Sequence, residues 1–376
     1  MNIGSLLESK SNNFNLLRLL FAAFVVYTHS FAVLGLMNMN PVRGILVSTW
    51  LSKIGVNGFF LISGFLITRS MAQGSIVYYT ISRVLRIYPA LLFSTAVTIL
   101  VMFFFSDLNF KDYILHSQTI KFFIGNTTLF KTVVGLLPGV FEDHLIKVVN
   151  VSLWTLVVEL RMYLIIGILG VLGVIRHPFI AKCVLIVLLV LLLSNYGPDV
   201  PLVHDKDNWT RVSMHFFWGA LIYFFRYEIP IDWRLFIASV LMFLWLQGKP
   251  GYDQLSVLPF SYIVFWLGLG FVWKDPINIF GDLSYGLYIY SFPVQQIFRN
   301  LWPNINVYLH IILSLILAGM AAYCSWWLIE ARALRLKKFF APQLKSLSFK
   351  NRPGKSEKGG GLSKIDPICR QSTLLR

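Results

Sequence analysis

Ten stretches of this 376-residue chain are apolar for long enough to cross a hydrocarbon core of about 30 Å, and no other feature constrains its fold so strongly. They lie at 14–36, 54–72, 87–105, 153–174, 179–195, 212–225, 233–247, 255–273, 279–298 and 306–329, the runs at 212 and 233 being short for a span. The expected fold class is all-α, a polytopic membrane protein of about ten transmembrane helices. A charged fraction of 13%, where soluble domains carry roughly 25%, excludes an ordinary soluble globule.

Lysine and arginine set the expected orientation. The segment from Arg332 to Arg376 holds 12 of them against two acids, Glu357 and Asp366, so with an even helix count both termini are expected in the cytoplasm. The net charge of +16 is mostly this tail and reads as a topology and headgroup contact, not a nucleic-acid site. The chain divides into a membrane domain over 1–340 and a basic, disordered tail over 341–376. The first run is too long for a signal peptide and lacks a cleavage site, so it is expected to stay in place. The one long connection, Ser106 to Ser152, falls outside, with 110–126 as an amphipathic surface helix. On the inner side, Ser75 to Tyr88 reads as an interfacial segment ended by Pro89. Three cysteines without paired spacing suggest neither a disulfide framework nor a metal site.

Ionisable groups inside such runs cost roughly 2.5 to 3.5 kcal/mol each and are functional by default. Arg18 and His29 are 11 residues apart, almost three turns, and so share one helix face about 16 Å apart, with Ala22 and Val25 between them. That face leaves room for something slender to run along it. Arg83 and Arg86 stand three residues apart near a helix start, a pairing that suits phosphate and also suits simple anchoring at the inner interface. Glu159 falls at a depth similar to His29. It is a candidate to orient that imidazole, and Arg161 and Arg18 are its alternative partners. The stretch GVNGFFLISGFLITR sets Ser63 and Gly64 among large residues, which reads first as close helix approach. In FGDLSYGLYIYSFPV, a polar face carrying Asp282, Tyr285, Tyr288 and Ser291 is a candidate lining for a carbohydrate passage.

Together LRLLFAAFVVYTHS, GVNGFFLISGFLITRS, ISRVLRIYPALL, SLWTLVVELRMYL, LSYGLYIYSFPV and LIEARALRLKK, in this order, resemble the six signature stretches of the membrane acyltransferase-3 family. The resemblance implies a ten-helix bacterial inner-membrane O-acyltransferase. Its donor would be an acyl-coenzyme A, usually acetyl-CoA, with no metal, and its acceptor a sugar hydroxyl of an envelope or lipid-linked glycan. Lipopolysaccharide O-antigen, exopolysaccharide and Nod factor are the acceptors it implies. It places the family's arginine and histidine on Arg18 and His29, its R-x-x-R on Arg83 and Arg86, and its glutamate on Glu159. There are departures. Leu160 stands where the family often has a second acid, Ser291 where it commonly has a histidine, and Ala333 where it has a proline. The second departure leaves His29 as the single imidazole expected in the membrane core. A glycan or lipid transporter using the same polar residues as a path is the competing reading.

Overall fold

The structure, a computed structural model, describes residues 1–8, 12–129, 134–194, 206–271 and 281–337; the basic tail 341–376 lies outside them. Each apolar run holds a helix. In chain order these are α1 Phe14–Val33, α2 Leu51–Gln73, α3 Ile76–Met102, α4 Trp154–Val171 and α5 Pro178–Leu193. They continue as α6 Lys206–Phe224, α7 Trp233–Trp245, α8 Val257–Phe265, α9 Ser284–Leu301 and α10 Val307–Ser325. Five are long and apolar enough to cross a membrane: α1, α2, α3, α4 and α10, the last continued by a π-helical turn Trp326–Glu330 and a short helix Ala331–Arg335. Among the described residues no strand forms, only the isolated bridges Asn2 to Pro230 and Ser106 to Val140. The chain is an all-helical membrane protein.

Small residues bring the central helices together. On α2, a Cβ at Gly64 would strike the backbone of Phe216 on α6, and one at Gly219 of α6 would strike Leu61 of α2, so backbone meets backbone. The opposite flank of α2 uses Gly55 and Gly58 to seat Phe21 of α1. In lipid, where no hydrophobic force drives helices together, such close packing is the main attraction available. Helix α9 lies against α1 and α10. It is tied to α1 by Gln295, whose amide donates to Val26 O and Ser30 Oγ, both at 2.7 Å. Interhelical bonds of this kind contribute about 0.6 kcal/mol each.

Two local expectations change. Ser75 to Tyr88 is not a separate interfacial segment: Ser75 caps a single 27-residue helix that runs straight through Pro89. The proline removes one helical hydrogen bond. Bonds to neighbouring helices hold both sides in line, Tyr79 OH donating to Tyr163 O at 2.7 Å and Tyr285 OH to Ile87 O at 3.1 Å. The surface helix expected over 110–126 is two helices, Phe110–Leu115 and Ser117–Thr128, broken at His116, whose extended backbone and ring nitrogen cap the second. This connection has its own small core around Tyr113, Phe122 and Phe141. It is fastened to α9 by Asn150 Nδ2 donating to Ile289 O at 2.8 Å and by Gln296 Nε2 donating to Val148 O at 2.8 Å.

Candidate active site

Four chain segments meet at one end of the bundle. Asp282, just before α9, accepts at one oxygen, Oδ2, from Arg18 Nη1 of α1 at 2.8 Å and Arg86 Nη2 of α3 at 2.5 Å. Its other oxygen accepts from Ser284 Oγ at 2.5 Å, which fixes the start of α9. Arg86 turns its second nitrogen to Glu330, in the π-helical turn after α10, at 3.4 Å, and its guanidinium lies over the rings of Tyr285 and Trp326. Glu330 is 2% exposed, so it needs Arg86 and Ser325 to be tolerable there. Breaking such a pair would cost about 3 to 5 kcal/mol because the remaining charge stays buried.

Arg83, one turn away on the same face of α3, has no carboxylate partner among the described residues. Its guanidinium lies 5.8 Å from the ring centre of Tyr163, and its Nε is buried without a hydrogen bond. It lines a cavity of about 270 Å³ together with Arg18, Arg86, Asp282 and Lys337. Arg18, Glu159 and Tyr285 also line a narrower cavity of about 40 Å³, closed by Val56, Phe59, Thr155, Leu156 and Tyr288. The two cavities share Arg18, Glu159 and Tyr285 in their walls, the larger lined by charged groups and the smaller mostly by apolar ones. Phe59 and Tyr288 meet edge to face at 5.7 Å across the smaller one, and Tyr288 OH bonds Thr155 Oγ1 at 2.8 Å.

His29 lines neither cavity. Its ring meets Phe292 edge-on at 5.2 Å, and Phe292 lies one turn of α9, about 6 Å, past Tyr288. Its Nδ1 is buried without a hydrogen-bond partner. The helices hold two further imidazoles, so His29 is not the single one in the core. His215 and His310, however, are fully buried and each bonds a backbone carbonyl, Arg211 O at 2.7 Å and Gln295 O at 3.0 Å. Those two are held as structural groups; His29 is half-buried and is not.

Several sequence expectations are corrected here. Glu159 makes no hydrogen bond to His29: Tyr163 OH, one turn on in α4, and Ser63 Oγ of α2 at 3.2 Å both donate to its Oε1. Nor does it pair with Arg161, whose guanidinium lies over Trp209 at 4.5 Å. The face of α1 between Arg18 and His29 is packed shut, with Ala22 and Val25 buried, because Phe21 and Val25 fit the glycine flank of α2. The cavities meet α1 at Arg18 and lie between α2, α4 and α9. Arg86 is saturated by two carboxylates, so Arg83 and Arg86 are not an equivalent pair. Tyr285 lines both cavities and Tyr288 the smaller, but Ser291 lines neither: it is fully buried and donates to Tyr288 O of its own helix at 3.3 Å. Sequence reasoning missed Lys337 altogether. It also missed the bridging role of Asp282 and Glu330, although an acid inside an apolar run always asks for a cation. Among the described residues no group of His, Cys, Asp or Glu is arranged to hold a metal.

Comparison with known proteins gives a consistent picture. A family model described as an acyltransferase domain matches residues 11–330. The chain is 28% identical over 346 residues to a protein of Shigella phage Sf6 named O-acetyl transferase, covering 86% of this chain and 96% of that one. It is 27% identical over 354 residues to Nodulation protein 10 of Rhizobium leguminosarum bv. viciae, covering 87% and 94%. No solved structure matches it.

Proposed function

Because the chain belongs to the acyltransferase-3 family and is an acyltransferase, we propose that it moves an acetyl group from acetyl-coenzyme A to a sugar hydroxyl of a bacterial envelope glycan. The observation that carries this reading is a pair of cavities sharing Arg18, Glu159 and Tyr285. The larger holds Arg83, a cation without a carboxylate partner among the described residues, the smaller is mostly apolar, and His29, its Nδ1 unbonded, packs on Phe292 one turn of α9 from Tyr288. A phosphate-bearing thioester fits that gradient, phosphates at Arg83 and the acyl end at Tyr288.

Arg86 and Arg18 keep the charged end in shape through Asp282. Glu159 faces the length of chain between the phosphates and the thioester, where a carboxylate can accept from the donor's amide N–H groups. For transfer, Phe59 and Tyr288 must part. His29 then takes the proton of the acceptor hydroxyl while the hydroxyl oxygen bonds to the thioester carbon. The C–S bond breaks, and His29 returns the proton to the leaving sulfur. The products are an acetyl ester and free coenzyme A.

In this reading the Arg83 end and both termini are cytoplasmic, ten helices span the inner membrane, residues 1–340 carry the chemistry and 341–376 form a basic tail. The connection 106–152 and the outer end of α1 face the acceptor. Lipopolysaccharide O-antigen is the acceptor favoured by the phage relative's name, and a Nod-type oligosaccharide is the alternative favoured by the rhizobial one. The test is acetyl analysis of envelope glycan by NMR in cells with and without the gene, alongside labelled acetyl-coenzyme A supplied to membranes. Label entering glycan only with the intact chain supports the reading. Altered glycan export with unchanged acetyl content would instead favour a transporter and overturn it.

A further inference from the structure

Among the described residues, two cations that line the larger cavity have no carboxylate partner. Asp282 is shared by Arg18 and Arg86, and Glu330 is taken by Arg86. That leaves Arg83, with its buried Nε unbonded, and Lys337, just past the short helix Ala331–Arg335, which lines the same cavity. Holding two like charges in one cavity is unfavourable in the empty protein. Glu159 lines the same cavity, its Oε1 already accepting from Tyr163 and Ser63, and an anion between Arg83 and Lys337 would relieve their repulsion.

Resting on the donor reading above, we propose that Lys337 and Arg83 form a binding site for a phosphate monoester dianion, the 3′-phosphate of coenzyme A. Lys337 is thereby a determinant of donor recognition. Position supports the monoester over the diphosphate. Lys337 follows the end of the last span and Arg83 precedes Arg86 on α3, so the two mark the mouth of the larger cavity. The nucleotide is the last part of the donor to enter, with its 3′-phosphate at the opposite extremity from the thioester. Charge supports it too, since a monoester presents two negative charges on one phosphorus and the site presents two unmatched positive ones.

The charged groups that bear on Lys337 are Arg83 and Arg86 from α3; its own segment adds Arg332 and Arg335. Burial, with Arg83 and Arg86 adding to it, pushes the Lys337 amine down to about 8. Below that pH it is already charged and binding a phosphate takes up no proton. Above it the amine must first be protonated, so affinity falls as pH rises past 8.

The experiment titrates coenzyme A and 3′-dephospho-coenzyme A into the full-length protein in nanodiscs of zwitterionic lipid, by calorimetry, with Lys337→Gln and Lys337→Arg beside the wild type. We expect Lys337→Gln to weaken coenzyme A binding roughly tenfold, as for loss of one charge-assisted bond, and to leave dephospho-coenzyme A unchanged. Lys337→Arg should retain affinity and remove its decline above pH 8. Equal binding of coenzyme A by wild type and Lys337→Gln would overturn the proposal and leave Lys337 to lipid headgroups. That result would be checked by repeating the titration with anionic lipid. Equal weakening toward both ligands would assign Lys337 to the diphosphate and overturn the monoester site. Wild-type protein that binds neither ligand would refute the donor reading itself, an outcome distinct from the other two.

Discussion

The two ends of α1 carry one ionisable residue each and treat them in opposite ways. At the Arg18 end the guanidinium is bound to Asp282, which also binds Arg86, which in turn reaches Glu330. At the other end His29 has one aromatic neighbour and a buried nitrogen with nothing to bond. The contrast teaches how to read ionisable groups in a membrane helix. A charge whose every direction is filled holds helices together, and an imidazole with neither nitrogen hydrogen-bonded, unlike His310, whose Nε2 bonds Gln295 O, is a candidate to meet a substrate.

That contrast can be broken at either end. The largest effect is expected from His29→Gln, which should lower acetyl transfer about a thousandfold while the thermal midpoint of the purified protein stays within a degree or two of wild type. A parallel loss of stability would make His29 a structural group like His310. Next is Asp282→Asn, which should destabilise the bundle by about 3 kcal/mol, read as a lowered thermal midpoint, since two guanidiniums lose their shared partner. Unchanged stability would mean the Arg18 end is held by packing alone.

Smaller effects sharpen the boundary between the ends. If the proposed donor path is right, Glu159→Gln should raise the KM for acetyl-coenzyme A roughly tenfold and change kcat little. A fall in kcat with constant KM would restore the idea that it serves His29. Leu156→Ala, in the smaller cavity, should raise the ratio of butyryl to acetyl transfer about fivefold by lengthening a chamber of about 40 Å³.

The all-helical class and the place of a helix in each apolar run were legible in the sequence because such runs are long and their polar interruptions few, whereas five of those helices are long and apolar enough to cross a membrane. Arg18, His29 and Glu159 were legible for the same reason, as costly residues in apolar surroundings. What could not be read was partnership. Nothing in a linear chain distinguishes Arg83 from Arg86, which differ only because Asp282 and Glu330 reach one and not the other. Ala22 and Val25 looked like floor for a passage, and whether that floor is open depends on Gly55 and Gly58 of α2 admitting Phe21 against it. Lys337 passed as one more topology cation because its neighbours in space lie some 250 residues away in sequence.

The Asp282 bridge also has a consequence for how the protein is made. Arg18 and Arg86 leave the ribosome 264 and 196 residues before the carboxylate that will bind them both, and Arg86 precedes Glu330 by 244. During synthesis the first helices must therefore lodge in the bilayer with their cations facing water or lipid phosphate. The clasp closes only when the last two helices arrive. A nascent chain stalled before Asp282 would therefore carry both arginines without the carboxylate that binds them.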